Sequence, residues 1–333
     1  MKVRTGFMKK SLLRAVSGAE HLRAWLLDEQ PWFQSWLMPA LPRRLRWFLR
    51  SAYFAPIDLA DRALGRDTEM PPKANNFTGD RALRDFGARG EVFIDALTET
   101  ASLKSSSHVL DVGCGLGRLA VAVSNFLDGS GRYEGLDIVP DAIRWCQQNV
   151  RGPHDNANFT LADVYNKEYN PKGKQSAASY RFPWDDDTFD IVALVSVFTH
   201  MLPEEFSHYI SEITRVLKKG GHIFATYYLI NQESLQLMKS NGRGMQFKIN
   251  RGTHWIQNGR VPELAVAYDE QYVRGVYARH GLSDSLGIYH GNWCGRSGKW
   301  PHESPLGDQD TVVAEKLGNE VTSRPDSASS SLT

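Results

Sequence analysis

The stretch Val109-Leu-Asp-Val-Gly-Cys-Gly-Leu-Gly-Arg118 decides the fold of this 333-residue chain. Its first four residues form an apolar run that only Asp111 interrupts, which predicts a buried β-strand. Three glycines follow, and then a segment that predicts a helix up to Leu127. Glycine permits a tight turn and lets backbone N–H groups approach an anionic ligand at the positive end of a helix. The stretch predicts a site for a nucleotide-type ligand; a tight β–α turn without a ligand is the alternative.

Short strands and helices alternate along the chain after this turn. The predicted strands cover residues 109–112, 133–138, 159–161, 189–197 and 222–228, and two late strands cover 286–290 and 311–315. The predicted helices cover residues 117–127, 140–150, 203–217 and 268–280. Alternating βαβ units form a parallel sheet with helices on both faces, and such sheets bind ligands at the carboxyl ends of their strands. We therefore expect an α/β fold with the glycine turn at the ligand site.

The spacing of the three glycines distinguishes between kinds of ligand. The dinucleotide fingerprint G-x-G-x-x-G places its third glycine three residues after the second. Here the glycines are Gly113, Gly115 and Gly117, and position 118 is an arginine. Asp111 comes two residues before the first glycine, where its carboxylate is a poor neighbour for a pyrophosphate. A ligand that carries an ammonium group suits this carboxylate better.

The glycine segment resembles motif I of the class I S-adenosylmethionine-dependent methyltransferases, and the resemblance covers about residues 80–316. Further segments resemble the family's pattern in order, namely Phe182-Pro-Trp-Asp-Asp-Asp-Thr-Phe-Asp190, Arg215-Val-Leu-Lys-Lys-Gly-Gly221 and Gln309-Asp-Thr-Val-Val-Ala-Glu-Lys316. The resemblance implies a Rossmann-like, doubly wound sheet of seven mostly parallel strands with an antiparallel last strand. It also implies methyltransferase activity with S-adenosyl-L-methionine as cofactor.

The resemblance implies roles for individual residues as well. Asp137 ends the second strand, where the family places an acid that accepts both ribose hydroxyls; a surface turn residue is the alternative. Asp163 follows the third strand, where the family contacts the adenine. The cofactor-binding residues implied in this way are Asp111, Gly113, Cys114, Gly115, Gly117, Asp137, Ile138, Asp163, Val164 and Ser196. His200 follows the fourth strand, where substrate and methyl group meet in this family, and is a candidate general base. The alternative is that it caps the next helix or packs beside Pro203.

Composition and motifs narrow the class of acceptor. The net charge is +1, from 39 basic and 38 acidic residues, so no global basic field favours a nucleic-acid substrate. The fourth strand is followed by Ser196-Val-Phe-Thr, unlike the Asn/Asp-Pro-Pro-aromatic motif of DNA amino-methyltransferases, and the chain contains no Pro-Cys pair. Neither the three cysteines nor the His, Asp and Glu residues have convincing metal-ligand spacing. We expect no metal and a small-molecule, glycan or lipid-linked acceptor that is methylated at oxygen.

The ends of the chain differ in composition from its middle. Residues 1–60 hold ten Lys or Arg residues against four acidic ones, a net charge of +6, together with four tryptophans. We predict a helical, basic N-terminal extension and linker over residues 1–80, a methyltransferase domain over 81–317 and a disordered tail over 318–333. The extension is either a cap on the core or an interfacial helix on a membrane surface. Without a signal peptide or a stretch of about 20 apolar residues, we expect a cytoplasmic protein.

The sequence is also compatible with two alternative functions. A nicotinamide-dependent (NAD(P)) oxidoreductase uses a similar sheet, but the glycine spacing, Asp111 and the last-strand segment argue against it. A non-catalytic cofactor-binding scaffold or regulator fits the same sequence, because the methyltransferase family often has no invariant catalytic residue. Turnover of the cofactor to S-adenosylhomocysteine distinguishes an enzyme from such a scaffold.

Overall fold

A seven-stranded sheet forms the centre of the computed structural model, which describes residues 43–63, 90–167, 169–241, 244–283, 285–300 and 306–318, with Leu41 and Pro71. The strand order is β10-β11-β5-β4-β1-β2-β3. The strands are β1 (His108–Val112), β2 (Arg132–Asp137), β3 (Ala157–Leu161), β4 (Phe189–Leu194), β5 (Leu217–Tyr227), β10 (Gly287–Tyr289) and β11 (Asp310–Glu315). The strand order reverses between β1 and β4, and ligands bind at such a switch point.

The pairing of these strands confirms the predicted architecture. β1 pairs in parallel with β2 and β4, β2 with β3, and β4 with β5. β11 pairs antiparallel with both β5 and β10, so it alone runs against the other six strands of this sheet. The protein therefore has the Rossmann-like, doubly wound sheet of seven mostly parallel strands, with the last strand antiparallel.

Helices cover both faces of the sheet, and neighbouring residues of each central strand belong to opposite faces. Leu110 and Val192 pack in one core with helices α5 and α7, whereas Val109 and Ile191 pack in the other with α2, α3 and α4. Because both faces of the sheet are buried, the central strands are continuous apolar runs in the sequence. The described helices are α1 (Arg43–Ala63), α2 (Gly90–Ala101), α3 (Arg118–Phe126), α4 (Pro140–Asn149), α5 (Pro203–Val216), α6 (Gln232–Asn241) and α7 (Glu270–Arg279).

A second, small sheet lies beyond β5 and was not predicted. Its order is β6-β9-β8-β7, formed by β6 (Leu229–Ile230), β7 (Ile249–Asn250), β8 (His254–Ile256) and β9 (Val266–Asp269). Strands of two to four residues are too short to show alternation in sequence. The helix expected over 268–280 begins instead at Glu270, because the residues before it pair as β9 and Asp269 caps the helix by accepting from the Tyr272 N–H.

Two other predicted strand boundaries are wrong. The fourth strand was expected to reach residue 197 but ends at Leu194, because Ser196 has a φ of 63° and turns the chain away from the sheet. The fifth was expected to begin at residue 222 but begins at Leu217, since Phe189 pairs with Leu217 across a register shift. In the N-terminal extension, α1 is helical as expected. Residues 1–40, most of the linker and the tail from residue 319 lie outside the described residues.

Candidate active site

The glycine-rich loop connects β1 to α3 in a conformation that depends on glycine. Gly113, Gly115 and Gly117 have φ values of 80°, 54° and 80°. The N–H groups of Gly113 and Cys114 both donate to the Leu136 carbonyl, at 2.6 and 3.1 Å, which fixes the loop against the end of β2. A Cβ atom on Gly113 would lie 2.4 Å from Cγ2 of Val197. The loop is therefore held close to the segment that follows β4.

Asp137 closes the loop from the end of β2. Its Oδ2 accepts a hydrogen bond from the Gly115 N–H and its Oδ1 accepts one from the Val139 N–H, both at 2.8 Å. Burial raises the pKa of this carboxyl group, and the backbone donors oppose the rise. A carboxylate offers about four lone-pair sites, so each oxygen keeps the capacity to accept a further donor from a ligand.

Asp111 lies on β1 below the loop and is only 3% exposed. The Tyr133 hydroxyl donates to its Oδ2. Burial raises the pKa of Asp111 to about 7, and the hydrogen bond from Tyr133 partly opposes this rise. A cation inside the site would stabilise the ionised form, as the ammonium interpretation of this residue requires.

Most of the predicted site residues line one cavity of about 500 Å³ at the switch point. Those that line it are Asp111, Gly113, Cys114, Gly115, Asp137, Ile138, Val164, Ser196 and His200. Gly117 and Asp163 lie outside the lining. Gly117 packs toward α4, where its Cβ would be 3.1 Å from Sγ of Cys146. The Asp163 carbonyl accepts from the N–H groups of Lys174 and Gln175 and fixes the loop before β4.

Several lining residues were missed by sequence reasoning. They come from the loop after β3, from α5, from the residue after β5 and from the residue before β11, namely Asn166, Tyr169, Glu205, Tyr209, Tyr228 and Gln309. The segments that carry them lie as much as 143 residues apart, from Asn166 to Gln309, and share no motif, so no spacing could have grouped them. Glu205 is notable because burial raises its pKa while the Leu202 N–H donates to its Oε2 at 2.9 Å.

The imidazole of His200 is oriented by the backbone of another segment. Its Nδ1 lies 3.0 Å from the Glu263 carbonyl oxygen, and a carbonyl only accepts hydrogen bonds, so Nδ1 carries the hydrogen. In the neutral ring Nε2 is then the nitrogen that accepts a proton. The Tyr169 ring stands edge-on to the imidazole with centroids 5.6 Å apart. This arrangement suits a base that is held in one tautomer.

Among the residues that the structure describes, no group of three or more His, Cys, Asp or Glu side chains could hold a metal ion. Within the same ranges, no helix combines the length and apolar character that crossing a bilayer requires.

Comparison with known proteins gives the same picture of the central segment. Residues 110–225 match the family model of a methyltransferase domain. The phthiotriol/phenolphthiotriol dimycocerosates methyltransferase 1 of Mycobacterium ulcerans is 30% identical over 122 residues, covering 37% of this chain and 38% of that protein. The demethylmenaquinone methyltransferase of Lactiplantibacillus plantarum is 30% identical over 121 residues, 36% of this chain and 45% of that protein. The chain thus spans less than half the length of these relatives.

A relative named for another acceptor matches a similar share of the chain. The tRNA N(3)-cytidine methyltransferase METTL2 of Gallus gallus is 28% identical over 125 residues, covering 37% of this chain and 31% of that protein. A solved S-adenosylmethionine-dependent methyltransferase from Methanosarcina mazei is 18% identical with a TM-score of 0.42, over 65% of this chain and 94% of that one. The names of these relatives give different acceptors, so the similarity leaves the acceptor open.

Proposed function

We propose that this chain, whose residues 110–225 are a class I S-adenosylmethionine-dependent methyltransferase domain, transfers a methyl group to a small-molecule, glycan or lipid-linked acceptor at an oxygen atom. The observation that carries the proposal is the single cavity that Asp111, Asp137 and the glycine loop line together. The acceptor class and the acceptor atom are the parts of this proposal that need experiment.

The residues of the cavity fit S-adenosylmethionine. Asp111 offers a buried carboxylate to the ammonium group, and Asp137 offers oxygen lone pairs to the ribose hydroxyls. Ile138 and Val164 supply apolar lining for the adenine. Ala162, and not the predicted Asp163, completes this lining after β3. A side chain at Gly113 would collide with Val197, so glycine at this position lets the loop pack against the segment after β4.

The chain's own contribution to the reaction is positioning and proton transfer. The cofactor supplies a methyl group on a sulfonium, which is a good leaving group. Holding the acceptor in line and excluding water then provides most of the acceleration. His200 accepts the proton of an acceptor hydroxyl at Nε2, because the Glu263 carbonyl holds its Nδ1–H.

The balanced charge of the chain supports a small or lipid-linked acceptor rather than nucleic acid. The net charge of +1 provides no overall positive field to attract a phosphate backbone, although residues 1–60 carry +6. Among the relatives, one is named for phthiotriol/phenolphthiotriol dimycocerosates and another for demethylmenaquinone, and neither name is that of a nucleic acid. The cytoplasmic location stays a prediction from the sequence, as do the domain boundaries.

Calorimetric titration with S-adenosylhomocysteine tests the cofactor site directly. We expect micromolar binding to the wild type, at least tenfold weaker binding to Asp137→Ala and no binding of NAD. Binding of NAD alone would establish the oxidoreductase alternative and overturn the proposal. A second assay incubates the protein with S-adenosylmethionine and a panel of phenols, sugars and lipid alcohols. Formation of S-adenosylhomocysteine in this assay distinguishes an enzyme from a non-catalytic scaffold.

The N-terminal extension adds a proposal about location. Helix α1 exposes Phe48 and Leu59, at 66% and 71%, next to a sequence rich in arginine. Exposed apolar side chains beside basic residues support contact with an anionic membrane surface. Co-sedimentation with phosphatidylglycerol vesicles should retain the wild type and release Phe48→Ser/Leu59→Ser. Equal sedimentation of both proteins would favour the alternative that the extension is a cap.

A further inference from the structure

A set of four polar side chains stands at the far end of the cavity, where β4 and β5 end and β11 begins. We call Ser196, Thr226, Tyr228 and Gln309 the Gln309 cluster. Ser196, Tyr228 and Gln309 line the cavity, while Thr226 lies beneath them and is fully buried. The mechanism described above gives no task to Thr226, Tyr228 or Gln309.

The side-chain amide of Gln309 joins the cluster. Its Oε1 accepts a hydrogen bond from the Ser196 hydroxyl at 3.1 Å and another from the Thr226 hydroxyl at 2.5 Å. Its Nε2 lies 3.5 Å from the Tyr228 hydroxyl oxygen, a long hydrogen bond. The Gln309 amide oxygen therefore accepts from the Ser196 and Thr226 hydroxyls. This orientation of the amide directs its N–H groups toward Tyr228.

Ser196 is held in a conformation that residues with a Cβ rarely adopt. Its φ is 63°, in the left-handed region, and such strain persists only where the surroundings impose it. Here the Thr226 hydroxyl accepts from the Ser196 N–H at 2.8 Å, and Gln309 accepts from its side chain. The strained turn presents the end of β4 to the cavity, and the Gln309 cluster maintains it.

Tyr228 is the member of the cluster best placed to contact a ligand. Its ring packs against Phe247 and Trp293, with centroids 5.3 and 5.5 Å apart, so the loop before β7 and the loop before β11 fix its position. Because its hydroxyl oxygen accepts from Gln309, the phenolic hydrogen is left to donate. Burial raises the pKa of Tyr228, which keeps that hydrogen in place at neutral pH.

The strand order places Thr226, Tyr228 and Gln309 away from the groups that fit the cofactor, whereas Ser196, predicted to bind the cofactor, follows β4, the strand next to β1. Asp137, Ile138 and Val164 follow β2 and β3, on one side of β1. The Gln309 cluster belongs to β4, β5 and β11, on the other side of β1. A cofactor bound at the ends of β2 and β3 leaves the side of the cavity formed by β4, β5 and β11 for the acceptor.

We propose that the Gln309 cluster is the binding subsite for an oxygen-bearing acceptor and that the Tyr228 hydroxyl donates a hydrogen bond to the acceptor's oxygen. This inference rests on the proposed function, since it needs a cofactor in the other half of the cavity. Tyr228 then selects for an acceptor with a hydroxyl or carbonyl oxygen, and Gln309 orients Tyr228.

The test uses full-length protein saturated with S-adenosylhomocysteine and titrates it calorimetrically with 2-naphthol as a phenolic probe. We expect Tyr228→Phe to bind 2-naphthol about tenfold more weakly than the wild type, since it lacks the hydrogen-bond donor. The affinity of Tyr228→Phe for S-adenosylhomocysteine should stay within twofold of the wild type. Gln309→Leu should weaken 2-naphthol binding as well. The matched control is Tyr289→Phe, a tyrosine of β10 outside the cavity lining, which should change neither affinity.

Three outcomes would overturn the inference. Equal 2-naphthol affinity in wild type and Tyr228→Phe would remove the proposed contact. Failure of the saturated wild type to bind 2-naphthol would remove the subsite. Loss of S-adenosylhomocysteine binding in Tyr228→Phe would assign the cluster to the cofactor. Failure of the wild type to bind S-adenosylhomocysteine at all is a separate result, which rejects the proposed function itself.

Discussion

Asp111 makes the stability of the ligand-free protein depend on pH. Its pKa is about 7 in the folded protein, whereas an unfolded aspartate ionises near pH 4. Between these values the unfolded chain loses the proton that the folded chain keeps, so rising pH favours unfolding. The contribution of Asp111 to stability therefore falls from about pH 4 to about pH 7 and is constant above that range.

The same residue predicts how cofactor affinity varies with pH. An ammonium group in the site needs ionised Asp111, so binding below pH 7 must first remove its proton. We expect S-adenosylhomocysteine to bind roughly tenfold more weakly at pH 6 than at pH 8. Calorimetric titrations between pH 6 and pH 8 measure this change in affinity, and Asp111→Asn serves as the comparison. A pH dependence that persists in Asp111→Asn would assign the effect to another group.

Gly113 predicts a second effect on the cofactor site. Its φ of 80° disfavours any Cβ, and the added atom would also lie 2.4 Å from Val197. We expect Gly113→Ala to abolish measurable S-adenosylhomocysteine binding. The control is Gly252→Ala, since Gly252 has a φ of 88° but no atom within 4 Å of an added Cβ. That variant should lose only about 1–2 kcal/mol of stability and keep its affinity. Similar affinity losses in both variants would mean that backbone strain alone, and not the site, is responsible.

Strand β11 depends on the buried carboxylate of its first residue, Asp310. Asp310 is fully buried and accepts hydrogen bonds from the N–H groups of Leu229 and Gly291 and from the Trp293 indole. It also pairs with Arg296 at 2.7 Å, which is itself 3% exposed. One carboxylate thus joins β11, the start of β6 and the loop between β10 and β11.

Removing that carboxylate should destabilise the protein strongly. We expect Asp310→Ala to lower the free energy of unfolding by about 3–5 kcal/mol, because Arg296 and several donors are left buried without it. Chemical denaturation followed by circular dichroism measures the loss. The matched exposed pair is Arg151 with Asp155, where Arg151→Ala should cost less than about 1 kcal/mol. A loss for Asp310→Ala as small as that of the exposed pair would contradict this account.

The elements also explain how far sequence reasoning reaches. Strands β1 to β5 and helices α3 to α5 were predicted because each buries a full face and so carries its own periodicity. The small sheet was missed because β6 pairs with β9 across about 40 residues, and its short strands depend on that contact. The site divides in the same way. Residues of the β1 and β2 turns lie in local motifs, whereas Tyr228 and Gln309 meet only through the strand order.

For the whole molecule, the balance of charge predicts weak association with nucleic acid. The chain carries a net charge of +1, although residues 1–60 alone carry +6. We expect tRNA binding, measured by filter retention, to be weak at 150 mM salt and to disappear as salt rises further. A tight complex that resists high salt would show specific recognition and would reopen a nucleic-acid acceptor.

The position of β11 has a consequence for synthesis on the ribosome. β11 is the last described strand along the chain, yet it lies between β5 and β10 inside the sheet. A nascent chain that has emerged only as far as residue 300 has an open edge on β5 and lacks Gln309 and Asp310. Such an intermediate can already form the glycine loop, but the far side of its cavity is incomplete. On the proposed function, the acceptor side of the cavity is completed only when β11 has left the ribosome and inserted between β5 and β10.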